Sequence, residues 1–96
     1  MKPSTALNKN REAIRLLVAQ HRVTNPRVFG STARNEDYDG SDFDLLVDAP
    51  PGTTLMDLCG LQHELESLLG LPVDVRTPQD ISKRFRDTVL ADARAL

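Results

Sequence analysis

Two short stretches hold residues whose types and spacing can do chemistry: Phe29-Gly30-Ser31 and Ser41-Asp42-Phe43-Asp44. In the first, a glycine-serine pair follows a strand-like Arg27-Val28-Phe29 and precedes Thr32-Ala33-Arg34, which can open a short helix. At such a junction backbone N–H groups lack partners and the helix dipole favours an anion, so phosphate is the natural guest. Gly30 lets the main chain approach a phosphate with no side chain between them, and the Ser31 hydroxyl can donate a further hydrogen bond. Glycine-serine ahead of a helix is also a common cap, so alone this pair is a weak signal.

Asp42 and Asp44 stand at the start of an otherwise apolar run, residues 42–48 (DFDLLVD). Strand residues two apart share a face with their backbones about 7 Å apart, so two such carboxylates can converge on one cation. Asp74, between Val73 and Val75 in residues 72–76 (PVDVR), is a third acid of the same kind. Like charges in a partly dry site oppose one another's ionisation unless a cation compensates them. Oxygen-only ligands suit magnesium or manganese, which take phosphate oxygens in their remaining positions. Taken singly, each acid could equally end a strand in solvent. Together with the phosphate cradle on the preceding strand, they form a group that can face a polyphosphate.

The elements that must position these residues follow from periodicity. Leu7, Ala13, Ile14, Leu17 and Val18 recur near the helical period, which predicts an amphipathic helix over 5–21. Residues 35–41 are polar and contain Gly40, so they read as a loop between the cradle and the acid strand. Pro50-Pro51-Gly52 breaks that strand, and Thr54 with Asp57 forms a capping box for a leucine-rich helix that Gly70 and Pro72 stop. Thr77-Pro78-Gln79-Asp80 reads as the cap of a last helix with Ile81, Phe85 and Val89 as its apolar stripe. The expected fold is therefore α/β: a small three-stranded sheet covered by about four helices.

Composition narrows the setting. A chain of 96 residues, 40% apolar and 27% charged, fits a single domain with one core. No apolar run approaches the roughly 18 residues of a membrane span, and the N-terminus lacks a signal peptide's apolar stretch, so a cytoplasmic protein is expected. The lone Cys59 excludes an internal disulfide and, lying in an apolar periodic stretch, is expected to be buried. With a net charge of −2 and 12 dispersed basic residues, the chain is poorly suited to gripping a DNA duplex. His21 and His63 lack the companions of a metal site, and Lys83, Arg84 and Arg86 read as a solvated helix face.

The run Phe29-Gly30-Ser31-Thr32-Ala33-Arg34 followed by Ser41-Asp42-Phe43-Asp44-Leu45-Leu46-Val47 resembles the signature of the minimal nucleotidyltransferases, the smallest members of the DNA polymerase beta superfamily. Val73-Asp74-Val75 lies where that family places its third acid, so the likeness spans nearly the whole chain. One departure is Asn35, where relatives often have glycine; asparagine still tolerates a left-handed backbone. The resemblance implies that Asp42 and Asp44 hold two magnesium ions, with Asp74 ligating the catalytic one and helping to activate an attacking hydroxyl. It likewise implies that Gly30 and Ser31 hold the triphosphate of ATP. Arg34 is left with two roles, a phosphate contact or a pair with a nearby acid, and Tyr38 reads as a surface residue.

Stand-alone chains of this size resemble the antitoxin halves of two-gene systems, whose partner is a HEPN-domain RNase toxin. The resemblance implies AMP transfer from ATP to a tyrosine of that partner. Two alternatives stay open: a non-catalytic antitoxin that inhibits by covering its partner, and transfer to a small molecule or an RNA end. The latter needs an acceptor site from a partner or from a second copy in a homo-oligomer, because no substrate domain accompanies the core.

Overall fold

The computed structural model describes all 96 residues. Helix α1 spans Pro3–Gln20, with proline in its first turn where a missing N–H costs nothing, and it kinks at Asn10, whose Nδ2 donates to the Ala6 carbonyl at 2.9 Å. Strand β1 (Thr24–Phe29) runs straight into the one-turn helix α2 (Gly30–Ala33), and strand β2 (Phe43–Asp48) follows the polar loop. Helix α3 (Leu55–Leu69) opens on the capping box that the spacing of Thr54 and Asp57 predicts and closes on Gly70, which is left-handed at φ +68°. Strand β3 (Val73–Arg76), a 3-10 turn (Pro78–Asp80), helix α4 (Lys83–Asp92) and strand β4 (Arg94–Ala95) complete the chain.

The sheet has four strands in the order β3-β2-β1-β4, parallel between β2 and β3 and antiparallel elsewhere. The fourth strand adds to the three that alternation predicts; two residues, Arg94 and Ala95, are too few to display a period. One face of the sheet carries the core. There Val28, Phe43, Leu45, Val47 and Val73 pack with Ala6, Ile14 and Val18 of α1 and with Leu61, Leu65 and Leu69 of α3. The opposite face is partly covered by the 3-10 turn and α4, and Leu46 on that face is fully buried. Burying both faces of β2 explains its nearly continuous apolar run.

Three local expectations are corrected. Cys59 is exposed: α3 turns Leu61, Leu65 and Leu69 inward, and a residue two positions from Leu61 points about 200° away. Thr77 and Asp80 cap the 3-10 turn and not α4, so Ile81 is buried in the joint between them. Helix α4 buries no residue, and Phe85 lies 56% exposed. No helix is long and apolar enough to cross a membrane.

Candidate active site

Register sets the site. Phe29 of β1 pairs with Asp44 of β2, and Asp44 pairs with Asp74 of β3. Their neighbours Val28, Phe43, Leu45, Val73 and Val75 face the core, so the pleat aims Phe29, Asp44 and Asp74 in a row at the opposite face. The same alternation adds Leu46 and Arg76 one step along that face. Asp42 lies one residue ahead of the strand and is exposed.

The glycine-serine turn reaches this row. Gly30 has a left-handed backbone at φ +69°, and a Cβ built on it would collide with Asp44 Oδ2 and stand 3.3 Å from Asp44 Cγ. Only glycine fits between the turn and the acid. Thr32 and Ala33 are buried and anchor α2, while Ser31 is half-buried beside Gly30. The turn after α2 is closed by the Glu36 N–H donating to the Ser31 carbonyl at 2.9 Å, with Asn35 left-handed at φ +57°, the conformation expected of it.

Arg34 pairs with two acids: Nε donates to Glu36 at 3.2 Å and Nη1 to Asp92 at 3.1 Å. The hydrogen bond to Glu36, then that to Asp92, raise its pKa further above the ordinary value. The Asp92 contact also ties α2 to α4. Farther along the loop Asp37 is buried, its Oδ2 accepting from the Ser4 N–H at 2.8 Å at the start of α1. Tyr38 is exposed at the surface, as its place in the loop predicts.

Asp44 is the electrostatic centre. Burial pushes its pKa up to about 6, the negative charges of Asp74 and Asp42 push in the same direction, and Arg76 and Arg34 offset only part of this. The site therefore holds uncompensated negative charge on oxygen donors, which is the chemistry that fits magnesium or manganese. As they lie, the side chains form no closed group of three ligands; Asp74 Oδ2 instead accepts from Arg76 Nε at 3.0 Å. An arriving cation would compete with that guanidinium for Asp74.

Arg76 escaped the sequence reading, although its two-residue offset from Asp74 puts both on one face. Arg86 does not belong to a solvated face: Nε donates to the Pro78 carbonyl at 2.8 Å and Nη2 to the Ile81 carbonyl at 3.1 Å, pinning the start of α4 to the 3-10 turn. His21 Nδ1 donates to the Leu17 carbonyl at 2.7 Å and closes α1, while His63 is exposed on α3.

Comparison with known proteins gives the family. The family model for the nucleotidyltransferase domain matches residues 9–96. A Methanocaldococcus jannaschii protein, described as a candidate protein adenylyltransferase, is 39% identical over 87 residues, covering 91% of this chain and 94% of its own. The protein adenylyltransferase MntA of Thermococcus cleftensis is 38% identical over 65 residues, covering 68% of this chain and 66% of its own. The solved structure of a candidate minimal nucleotidyltransferase superposes with a TM-score of 0.87 at 43% identity, over 100% of this chain and 97% of that one. A chain of the complex between a tri-AMPylated Shewanella oneidensis HEPN toxin and an MNT antitoxin shares the fold at 20% identity, with a TM-score of 0.69 over 92% of this chain and 69% of that one. With a left-handed glycine turn set against an acid row, and with matches of this extent, the chain belongs to the nucleotidyltransferase domain family as a minimal nucleotidyltransferase, an enzyme of nucleotidyl transfer.

Proposed function

We propose that this chain transfers AMP from ATP to a tyrosine hydroxyl of a HEPN-domain RNase toxin and so acts as its antitoxin. The observation that carries the reading is the row Phe29, Asp44, Asp74, in which Asp44 is driven up to about 6 by burial and by its acidic neighbours while Gly30 leaves no side chain between it and the turn. The printed names of the Methanocaldococcus and Thermococcus relatives support adenylyl transfer, and the AMPylated toxin complex supports a HEPN partner.

Two magnesium ions on Asp42, Asp44 and Asp74 would neutralise the phosphate oxygens and stabilise the attacking and leaving oxygens of an in-line displacement. The chain's own residues supply the rest. Gly30 and Ser31 hold the triphosphate, Asp74 receives the proton of the attacking hydroxyl, and Arg76 orients Asp74 until substrate enters.

Incubating the chain with ATP, magnesium and a co-encoded HEPN protein, then weighing the intact partner, tests the reading. Addition of AMP by the native chain and none by Asp44→Asn is expected. Full transfer by Asp44→Asn overturns it, and so does inhibition of the partner in EDTA without ATP.

A further inference from the structure

The acid row opens beside Asp74 into a cleft of about 450 Å³, walled by Phe29, Ile81, Phe85 and Val89 with Asp74 and Arg76 at its polar edge. Its outer wall is built to stay in place. Ile81 is only 8% exposed, the Thr77–Asp80 capping box fixes the turn before it, and Arg86 fastens α4 to the Pro78 and Ile81 carbonyls. Phe85, by contrast, contributes nothing to the core: it lies 56% exposed on a helix that buries no residue, with the Arg84 guanidinium 5.6 Å from its ring centre. An aromatic ring turned outward beside a reacting carboxylate is a recognition element in search of a flat apolar guest.

Geometry says which guest. The phosphate-facing turn is at the Gly30 end of the row, on the β1 side, and Asp74 is on β3 at the other end. In-line displacement sets the attacking oxygen opposite the leaving oxygen, so an acceptor approaches from the Asp74 side, and the cleft, which runs from Phe29 beside the turn across to Asp74 and Arg76, offers it that side. Apolar and aromatic walls with two carboxylates, Asp74 and Asp80, in the polar part of the lining match a planar ring that ends in a hydroxyl.

We infer that the cleft between the 3-10 turn, α4 and β3 seats the phenolic side chain of the acceptor protein, with Phe85 selecting an aromatic hydroxyl over an aliphatic one. This assignment rests on the adenylyl-transfer reading above. In the step, the phenolic oxygen forms a bond to the α-phosphorus of ATP, the bond from that phosphorus to the bridging oxygen of the β-phosphate breaks, and pyrophosphate leaves. The phenolic proton passes to Asp74. Nothing is oxidised or reduced.

The full chain, labelled with 4-fluorophenylalanine, gives each of its three phenylalanines a fluorine resonance. Titration with N-acetyltyrosinamide is expected to move the Phe85 resonance, while N-acetylserinamide leaves it in place. Phe85→Ala should weaken N-acetyltyrosinamide binding at least fivefold and leave the magnesium–ATP affinity, measured by calorimetry, within twofold; Phe85→Trp should retain tyrosinamide binding. A Phe85 resonance that ignores tyrosinamide, or equal response to serinamide, overturns the assignment. Loss of magnesium–ATP affinity in Phe85→Ala also overturns it, by making the cleft the seat of the adenine base. Absence of magnesium–ATP binding in the unsubstituted chain sinks the adenylyl-transfer reading instead, and calorimetry registers that independently of Phe85.

Discussion

Gly30 and Asp44 approach so closely that a single methyl group cannot be placed between them: a Cβ at position 30 would overlap Asp44 Oδ2, and the backbone there is left-handed as well. The turn and the acid are thus one unit. Substituting Gly30→Ala should force Asp44 aside and strain the turn by about 1–3 kcal/mol. The expected results are a lower melting temperature and at least about a tenfold loss of magnesium–ATP affinity, equivalent to about 1.4 kcal/mol. A variant with unchanged affinity by calorimetry would break the link between the turn and the site.

Asp44 is held in a state that costs the fold. A carboxyl with its folded pKa raised to about 6 binds more protons folded than unfolded, so its contribution to stability is full below the unfolded value near 4 and is lost as pH rises through 6. Asp44→Asn removes the charge. Because the carboxyl is not fully buried, solvent screening reduces the gain to about 1 kcal/mol, an increase of about 4–8 °C in melting temperature near neutral pH for a domain of this size. The gain should vanish at about pH 3, below the unfolded pKa, where the carboxyl is protonated in the folded and unfolded chain alike. Thermal melts at the two pH values check it, and a variant less stable than the parent at neutral pH would contradict the charge argument.

The same proton competes with a metal. A magnesium ion held by Asp44, as proposed, would have to displace it, so the affinity for magnesium–ATP is expected to be flat above pH 7 and to fall as pH drops through about 6. Calorimetry across that range in buffers of different ionisation enthalpy should show proton release near pH 6 and none at pH 8. An affinity that does not change between pH 5 and pH 8 would remove Asp44 from the metal's ligands.

Arg76 shapes that titration from its position beside Asp74. Its guanidinium is 3.0 Å from Asp74 Oδ2 and lowers the pKa of Asp44, which burial and the two neighbouring acids raise. Arg76→Ala should therefore move the pH midpoint of magnesium–ATP binding upward, while Arg76→Lys keeps it near the parent's. A downward movement would mean that Arg76 does not act through the acid row.

Much of this site was legible because strand geometry is rigid. The two-residue period alone puts Asp44 on the face opposite Phe43 and Leu45, and the Thr54–Asp57 spacing fixes the start of α3. What stayed hidden depends on contacts distant in the chain. Nothing local to Arg34 says that Asp92, 58 residues on, will hold it. Nor does the period of Ile81, Phe85 and Val89 reveal that the helix starts after Ile81, since a capping box can as readily close a 3-10 turn. The two-residue β4 exists only through its pairing with Arg27 and Val28. Cys59 misleads for a simpler reason: an apolar neighbourhood in sequence spans all sides of a helix, and only α3's leucines at 61, 65 and 69 define the buried one.

Asp37 joins the loop that carries Asp42 to the first turn of α1, where the Ser4 N–H has no partner within the helix. Burial pushes its carboxyl's pKa up, but the hydrogen bonds from Ser4 and its own N–H, with the charge of Lys2, outweigh burial and hold it below the ordinary value. The sign is opposite to that of Asp44: this stability is present above the unfolded pKa near 4 and disappears as pH falls through the lower folded value. Asp37→Ala should lose the cap at a cost of about 1 kcal/mol near neutral pH. Because the loop between α2 and β2 then keeps only the exposed ion pair of Asp39 with the N-terminal amine as its link to the start of α1, amide exchange at residues 35–41 should accelerate while that of β2 stays protected. Unchanged exchange in the loop together with unchanged stability would show that Asp37 does not anchor it.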